Sequence, residues 1–425
     1  MKINFKHIFL FYVASIAFAP PLYLLVPLGP IFRSIRLYDI LFIVIFIFAF
    51  FRSATSKCKF FYNTSLNLPV LGIFCVWILS LFNCIFMQKI FYMRDFFEYF
   101  KVVYLFLILQ MTILFLQDRE DVKNALYILI ACSIYPQILG IFEHFHFFDF
   151  RRILVNLYTG IEYSSNIVGG FDIYGAGYLH KFRASSVFVG DVNAFGGYSA
   201  LFFIMAFVCC MYIPKIKTKI LFIFIALLNL YGVLISGSRK SLVCALIGIL
   251  IFFWFKFRKL FRAVPLLIIV VLLVFKLAPD YYMSRFFANW EYKVNNIIGL
   301  WNDFSRSDLL SMFIGRGIVH DFGMDSFHLK ILLRNGILGL VAHLFLIILA
   351  LKLALYVKNN SKRWLDEMTG IMAFILIICM EWLNASGLYF YAGRISESYW
   401  VILGVLCVVY RILKAQKDDR FLAEG

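Results

Sequence analysis

Charge is scarce in this chain. Of 425 residues only 15% are Asp, Glu, Lys or Arg, while 63% are hydrophobic and the mean hydropathy is +0.87. Soluble domains carry about a quarter charged residues, so a soluble globular protein is excluded and an integral membrane protein is indicated. Cysteine contributes no framework either. All nine cysteines except Cys58 sit in apolar segments and neither long polar stretch holds one, which excludes a disulfide scaffold and any Cys-based metal spacing. Internal repeats and low-complexity tracts are missing. Gly169-Gly170 and Gly175-Ala176-Gly177 lack the Lys-Ser/Thr of a phosphate-cradling loop and read as turns. Behind Lys2 and Lys6 there is no small-residue cleavage site, so the N-terminal apolar run reads as a retained first span.

Positive charge is what the chain has in excess, +17 at neutral pH. The Lys and Arg are scattered among short loops and not gathered with exposed aromatics in one domain. They read as a topology signal and a contact with anionic lipid, with no nucleic-acid partner. Apolar windows fall at 8–28, 37–51, 68–87, 100–117, 125–142, 192–213, 220–235, 241–257, 263–278, 337–356, 368–388 and 395–413. Each approaches the roughly 20 residues needed to cross about 30 Å of hydrocarbon. The fold class is therefore all-α, a polytopic membrane protein with about 12 transmembrane helices. The first span is interrupted by Pro20-Pro21, where a kink is expected.

With the N-terminus inside, Lys and Arg are roughly three times as dense in the inner segments as in the outer ones, which puts both termini in the cytoplasm. The same topology sends two long loops to the outer side, 143–191 and 279–326, the second continuing into a short helix that re-enters the membrane near 336. The chain thus divides into spans 1–142, loop 143–191, spans 192–278, loop 279–336 and spans 337–425. The other connections are about 5–16 residues long, so loops of this length call for a function. Their aromatics, among them Tyr158, Tyr174, Tyr281, Trp290 and Trp301, suit an interfacial belt or the faces of sugars.

The stretch Asn302–Leu340 is where charge meets membrane. It holds Arg306 and Asp308, a Gly315-Arg316-Gly317 turn, His320, and Asp325-Ser326 before apolar sequence resumes. The spacing predicts a short helix over Ser326–Arg334 with Asp325 as N-cap, a stop at Asn335-Gly336, and a long helix from Ile337. With Leu329, Leu332, Gly336 and Gly339, this stretch resembles the Wzy-type O-antigen polymerases and WaaL-type O-antigen ligases. In that family a polar loop with Arg and a Gly-x-Gly turn precede L-x-x-L-x-x-x-G-x-x-G. Ligases usually carry His-Asn where this chain has Asp325-Ser326, which favours the polymerase. A second patch, Arg183 to Tyr198, is similar to the family's R-x-x-G-x-F-x-D-P-N-x-F-G, although Val192 replaces the usual Pro. A third, Ser236-Gly237-Ser238-Arg239-Lys240-Ser241-Leu242, looks like its S-x-S-R-x-x-L element.

The resemblance implies an enzyme that joins undecaprenyl-pyrophosphate-linked repeat units at the outer face of the bacterial inner membrane, with a chain-length regulator as partner. Such a transfer needs cations for the pyrophosphate leaving group, and the planar guanidinium fork suits phosphate oxygens. Arg183 and Arg306 are the expected clamp, with Arg239 and Arg316 as further candidates for binding substrate. Asp325 is the first candidate for the base and His320 the second; His328, three residues on, is placed to orient the Asp325 carboxylate. No cofactor or metal is expected. Glu143-His144-Phe145-His146 has diverging spacing, and no Asp-x-Asp pair lies in either long loop. Among ionisable residues inside spans, Asp39 and Lys101 lie near ends, whereas Glu381 is deeper and should pair within the bundle. A ligase acting on lipid A-core remains an alternative. So does a lipid-linked oligosaccharide flippase, which would share the spans but not the long loops.

Overall fold

The computed structural model describes residues 5–18, 37–56, 61–87, 93–147, 184, 186, 192–257, 294–317 except 296, 297, 300 and 303, 326–385 and 394–424. Among them every regular element is a helix. In chain order these are α1 (Phe5–Phe18), α2 (Leu37–Ser56), α3 (Asn67–Phe82, running on as a π-helical turn Asn83–Met87), α4 (Met93–Phe115), α5 (Arg119–Cys132) and α6 (Ile134–His144). The second half adds α7 (Val192–Tyr212), α8 (Ile216–Ser236), α9 (Arg239–Lys256), α10 (Leu309–Ile314), α11 (Phe327–Asn360), α12 (Trp364–Asn384) and α13 (Ile395–Glu424).

Helix α7 is apolar on every side and is buried on every side, as a helix with no polar face must be. Its small residues Gly196, Gly197, Ser199 and Ala200 let neighbouring backbones approach, which is how helices associate where lipid removes the hydrophobic drive. Around it lie α8, α9 and α12. The outer helices carry Phe50, Leu71, Phe86, Phe224, Trp254 and Ile348 exposed on their far sides. Apolar surface on that scale suits lipid and not water.

Among the described residues six helices are long and apolar enough to cross a membrane: Asn67–Met87, Arg119–His144, Val192–Tyr212, Ile216–Ser236, Phe327–Asn360 and Ile395–Asp418. Shorter apolar helices occupy Lys6–Phe18, Tyr38–Phe51 and Lys101–Phe115. Among the described residues the protein is all-helical, and its long apolar helices are those of a multi-pass membrane protein. The window at 263–278 and the Pro20-Pro21 kink lie outside the described residues, as does nearly all of loop 143–191. The window at 125–142 differs from expectation by holding a break. Pro136 has no N–H to return to the Cys132 carbonyl. The helix parts at Ser133, whose N–H and hydroxyl both donate to the Ile130 carbonyl, at 3.1 and 2.7 Å.

The bundle has two chemically distinct ends. At one, Lys6 pairs with Asp121, Arg119 with Asp366 at 2.8 Å, and Lys256 with Glu367 at 3.2 Å. These pairs bring the start of α1, the start of α5, the end of α9 and the start of α12 together at this end. The opposite end carries the turn after α8, the end of α12 and the start of α11, and it holds the described residues of the three motif patches.

Helix α11 is not straight. Gly336 takes φ 65° and ψ −168°, a conformation open in practice only to glycine, and the chain folds there into a V. The short arm before it brings Phe327 to 5.1 Å from His343 of the long arm, measured between ring centroids. Asn335 lies so close to Gly339 that a β-carbon at 339 would overlap the Asn335 Cβ, with Ile331 in ordinary contact just beyond it at 3.5 Å. The predicted short helix and stop are present. The N-cap is Ser326, with φ −114° and ψ 121°, and not Asp325; the dihedral change from loop to helix falls one residue later than the sequence pattern suggested.

Candidate functional site

The site is assembled on the break at Gly336. Reversal of the chain leaves the last carbonyls of the short arm without helical partners. The Gly-Arg-Gly turn supplies them: Arg316 N–H donates to the Leu333 carbonyl and Gly317 N–H to that of Arg334, each at 3.0 Å. Ser80 adds its hydroxyl to the Arg334 carbonyl. Asn83 begins the π-helical turn, and its side-chain amide reaches the Gly315 carbonyl at 2.6 Å and the Ser311 hydroxyl at 3.3 Å. Gly315, at φ 81°, lies so close to the Arg334 carbonyl that a β-carbon would overlap it. This motif is therefore a backbone clamp, and its glycines are there for contact.

Before the clamp, Asp308 caps α10, accepting the Ser311 N–H and hydroxyl at 2.7 Å each. The Ser311 N–H, then its hydroxyl, and more weakly the charge of Arg316, hold the Asp308 carboxyl below its usual range. Arg316 is thus half-buried beside an acidic neighbour. Arg306 stands in the exposed turn ahead of them, and among the described residues its guanidinium meets no carboxylate.

The second and third patches pack against each other. Ala184 N–H donates to the Ile235 carbonyl at 3.0 Å. Gly196 lies under the Ser236–Ser241 turn so tightly that a β-carbon would sit 2.8 Å from both Ser238 Cβ and Ser241 Oγ. Gly237, at φ 59°, ends α8, and Arg239 and Lys240 open α9. Two cations in a first turn oppose the helix dipole by about 0.3–1 kcal/mol each, a placement that an anion would turn to advantage. Arg239 is exposed there.

The end of α12 joins these patches to the first. Trp382 Nε1 donates to the Lys240 carbonyl at 3.2 Å. Next to it, Glu381 Oε2 lies 2.8 Å from His328 Nε2 and 3.5 Å from His343 Nε2. Asn384 approaches the other carboxylate oxygen at 3.4 Å. Deeper in the bundle Tyr12, Tyr104 and Glu397 form a hydrogen-bonded chain, at 3.3 and 3.2 Å.

Of the residues expected from sequence, Arg183, His320 and Asp325 lie outside the described residues. His328 was expected to orient Asp325; its described partner is Glu381, because the V at Gly336 turns it toward α12. Glu381 pairs within the bundle as its depth required. In the Glu143-His144-Phe145-His146 run the buried Glu143 carboxylate accepts the Ser186 N–H at 2.6 Å, while His146 is exposed, so the group does not converge. Sequence reasoning missed His343. It sits among apolar residues with no neighbouring polar signal, and only the reversal brings it to His328. No protein-family model matches the chain, and no curated protein matches it.

Proposed function

We propose that this chain is a glycan polymerase of the bacterial inner membrane. It joins undecaprenyl-pyrophosphate-linked oligosaccharide units on the periplasmic face during synthesis of O-antigen or a related surface polysaccharide. One observation carries the reading: the described residues of three motif patches, far apart in the chain, meet at a single end of the bundle, around Ala184, Lys240, Trp382 and His328. Both termini are then cytoplasmic, about twelve helices span the bilayer, and the loops 143–191 and 279–336 face the periplasm.

In this mechanism Arg183 and Arg306 hold the donor pyrophosphate, with Arg239 and Arg316 adding positive charge where the leaving group departs. The acceptor hydroxyl gives its proton to Asp325 or His320 as its oxygen attacks the anomeric carbon. The bond from that carbon to the pyrophosphate oxygen breaks, and the carrier leaves as undecaprenyl pyrophosphate. Base assistance of this kind is worth about 3–5 kcal/mol of barrier. The lipid donor itself supplies the driving energy.

The test is the surface polysaccharide ladder of a deletion strain, read with mass analysis of its lipid-linked intermediates. Lipid A-core bearing a single repeat unit supports the polymerase. Bare core with long polymer still on the carrier identifies a ligase, and single units trapped on the cytoplasmic face identify a flippase; either result overturns the proposal.

A further inference from the structure

His328, His343 and Glu381 form a group that no part of the polymerase mechanism uses. We infer that they are a binding site for a first-row divalent cation of the zinc class. Two imidazole nitrogens and one carboxylate oxygen lie within 4.8 Å of one another. This is a donor set suited to zinc and its neighbours. Ligands about 2.0–2.1 Å from a tetrahedral zinc ion stand roughly 3.3–3.4 Å apart. His343 Nε2 to Glu381 Oε2 is 3.5 Å, already at that spacing. His328 Nε2 to the same oxygen is 2.8 Å and needs to open by roughly half an ångström.

An ion pair alone would explain one histidine. Here both ring nitrogens face the same oxygen, and the second ring is only 2% exposed, held edge-on by Phe327. Asn384 lies against Oε1 and leaves Oε2 to the imidazoles, the kind of outer contact that orients a ligand. The His328 and Glu381 side chains are 28% and 18% exposed, so the triangle has an accessible edge. Three protein ligands with one open side is the arrangement of a site where the ion also binds water or substrate. The sequence points to no metal because these donors come from both arms of the V and from α12.

The inference does not depend on the proposed reaction, and its test reads metal alone. The full-length protein, carrying an affinity tag without histidine, is stripped with chelator in detergent and titrated with Co2+. The readouts are visible absorption and metal content, and Zn2+ is then added as competitor. The expected result is about one ion per chain with the intense ligand-field bands of a tetrahedral site, displaced by Zn2+. Affinity should fall more than about ten-fold in both His328→Ala and Glu381→Gln. Because His343 is buried, His343→Ala can fail to fold; the half-exposed His328 gives the deciding variant, with its melting curve as control. Wild-type protein that retains no Co2+ or Zn2+, or binding unchanged in a folded His328→Ala, overturns the site.

Discussion

His328 and His343 are fifteen positions apart in the chain, yet their ring centroids are 5.9 Å apart and both Nε2 atoms face Glu381 Oε2. Along a straight helix fifteen residues rise about 22 Å. The V at Gly336 removes that distance, and the Gly315-Arg316-Gly317 turn locks the V by taking up the carbonyls of Leu333 and Arg334.

Gly336→Ala should therefore be among the most damaging single-methyl changes in the chain. Its β-carbon would overlap the Phe313 carbonyl, and φ 65° with ψ −168° is strained for alanine. A loss of about 2–4 kcal/mol is expected, read as a lowered Tm in detergent. Gly299→Ala, which meets open space, is the control and should leave Tm unchanged. Equal melting of the two variants would mean that the break is not held by sterics.

Arg306→Ala should remove polymer while leaving the amount of inserted protein and its Tm as in wild type, since this exposed turn residue packs on nothing that the fold needs. A fixed guanidinium at a leaving group is worth about 10²–10³ in rate. Arg306→Lys keeps charge but not the bidentate fork, and should fall between the two. Normal polymer length at matched protein level in Arg306→Ala would take this residue out of the site.

Asp308 gives a pH signature. Its folded carboxyl titrates below the unfolded value near 3.9 because Ser311 N–H and hydroxyl donate to the ionised form. The stabilisation is present above that unfolded value and disappears as pH falls through the lower folded one. Asp308→Ala should cost about 1 kcal/mol at neutral pH, as a lost N-cap does. Melting wild type and variant side by side from pH 7 downward should show the gap narrowing only below about pH 4. A gap that closes near pH 6 would assign the effect to another group.

At the opposite end, Arg119 Nε and NH2 grip Asp366 at 2.8 to 3.1 Å, and the Asp366 side chain is fully buried. Arg119→Met should destabilise by about 3–5 kcal/mol, because a buried carboxylate is left without its counter-charge. Asp366→Leu added to it should recover most of the loss. Additive losses in the double variant would show that the two side chains are not coupled.

The helical class, the membrane character and the limits of helices such as α7 can be read from residue patterns. Apolar windows such as 192–213 and 220–235 need no tertiary information, because their length and hydropathy already demand a helix in lipid. The stop at Asn335-Gly336 is equally local, since glycine alone tolerates a positive φ at that point without strain. The break at Ser133 was not anticipated, because the apolar run around Pro136 reads as one span.

What residue pattern alone determined is therefore the helical membrane class, apolar helices such as α7 and α8, and the place where α11 must break. Tertiary structure alone decided which way the chain turns at Gly336, and hence that His343, hidden in an apolar stretch, faces His328. It also set Trp382 against Lys240 and Glu381 against both rings. The physical reason is that a helix's period tells which residues share a face but not which face another helix will meet. That choice rests on close contacts such as Gly196 beneath Ser238 and Gly315 against Arg334, made between residues far apart in the chain.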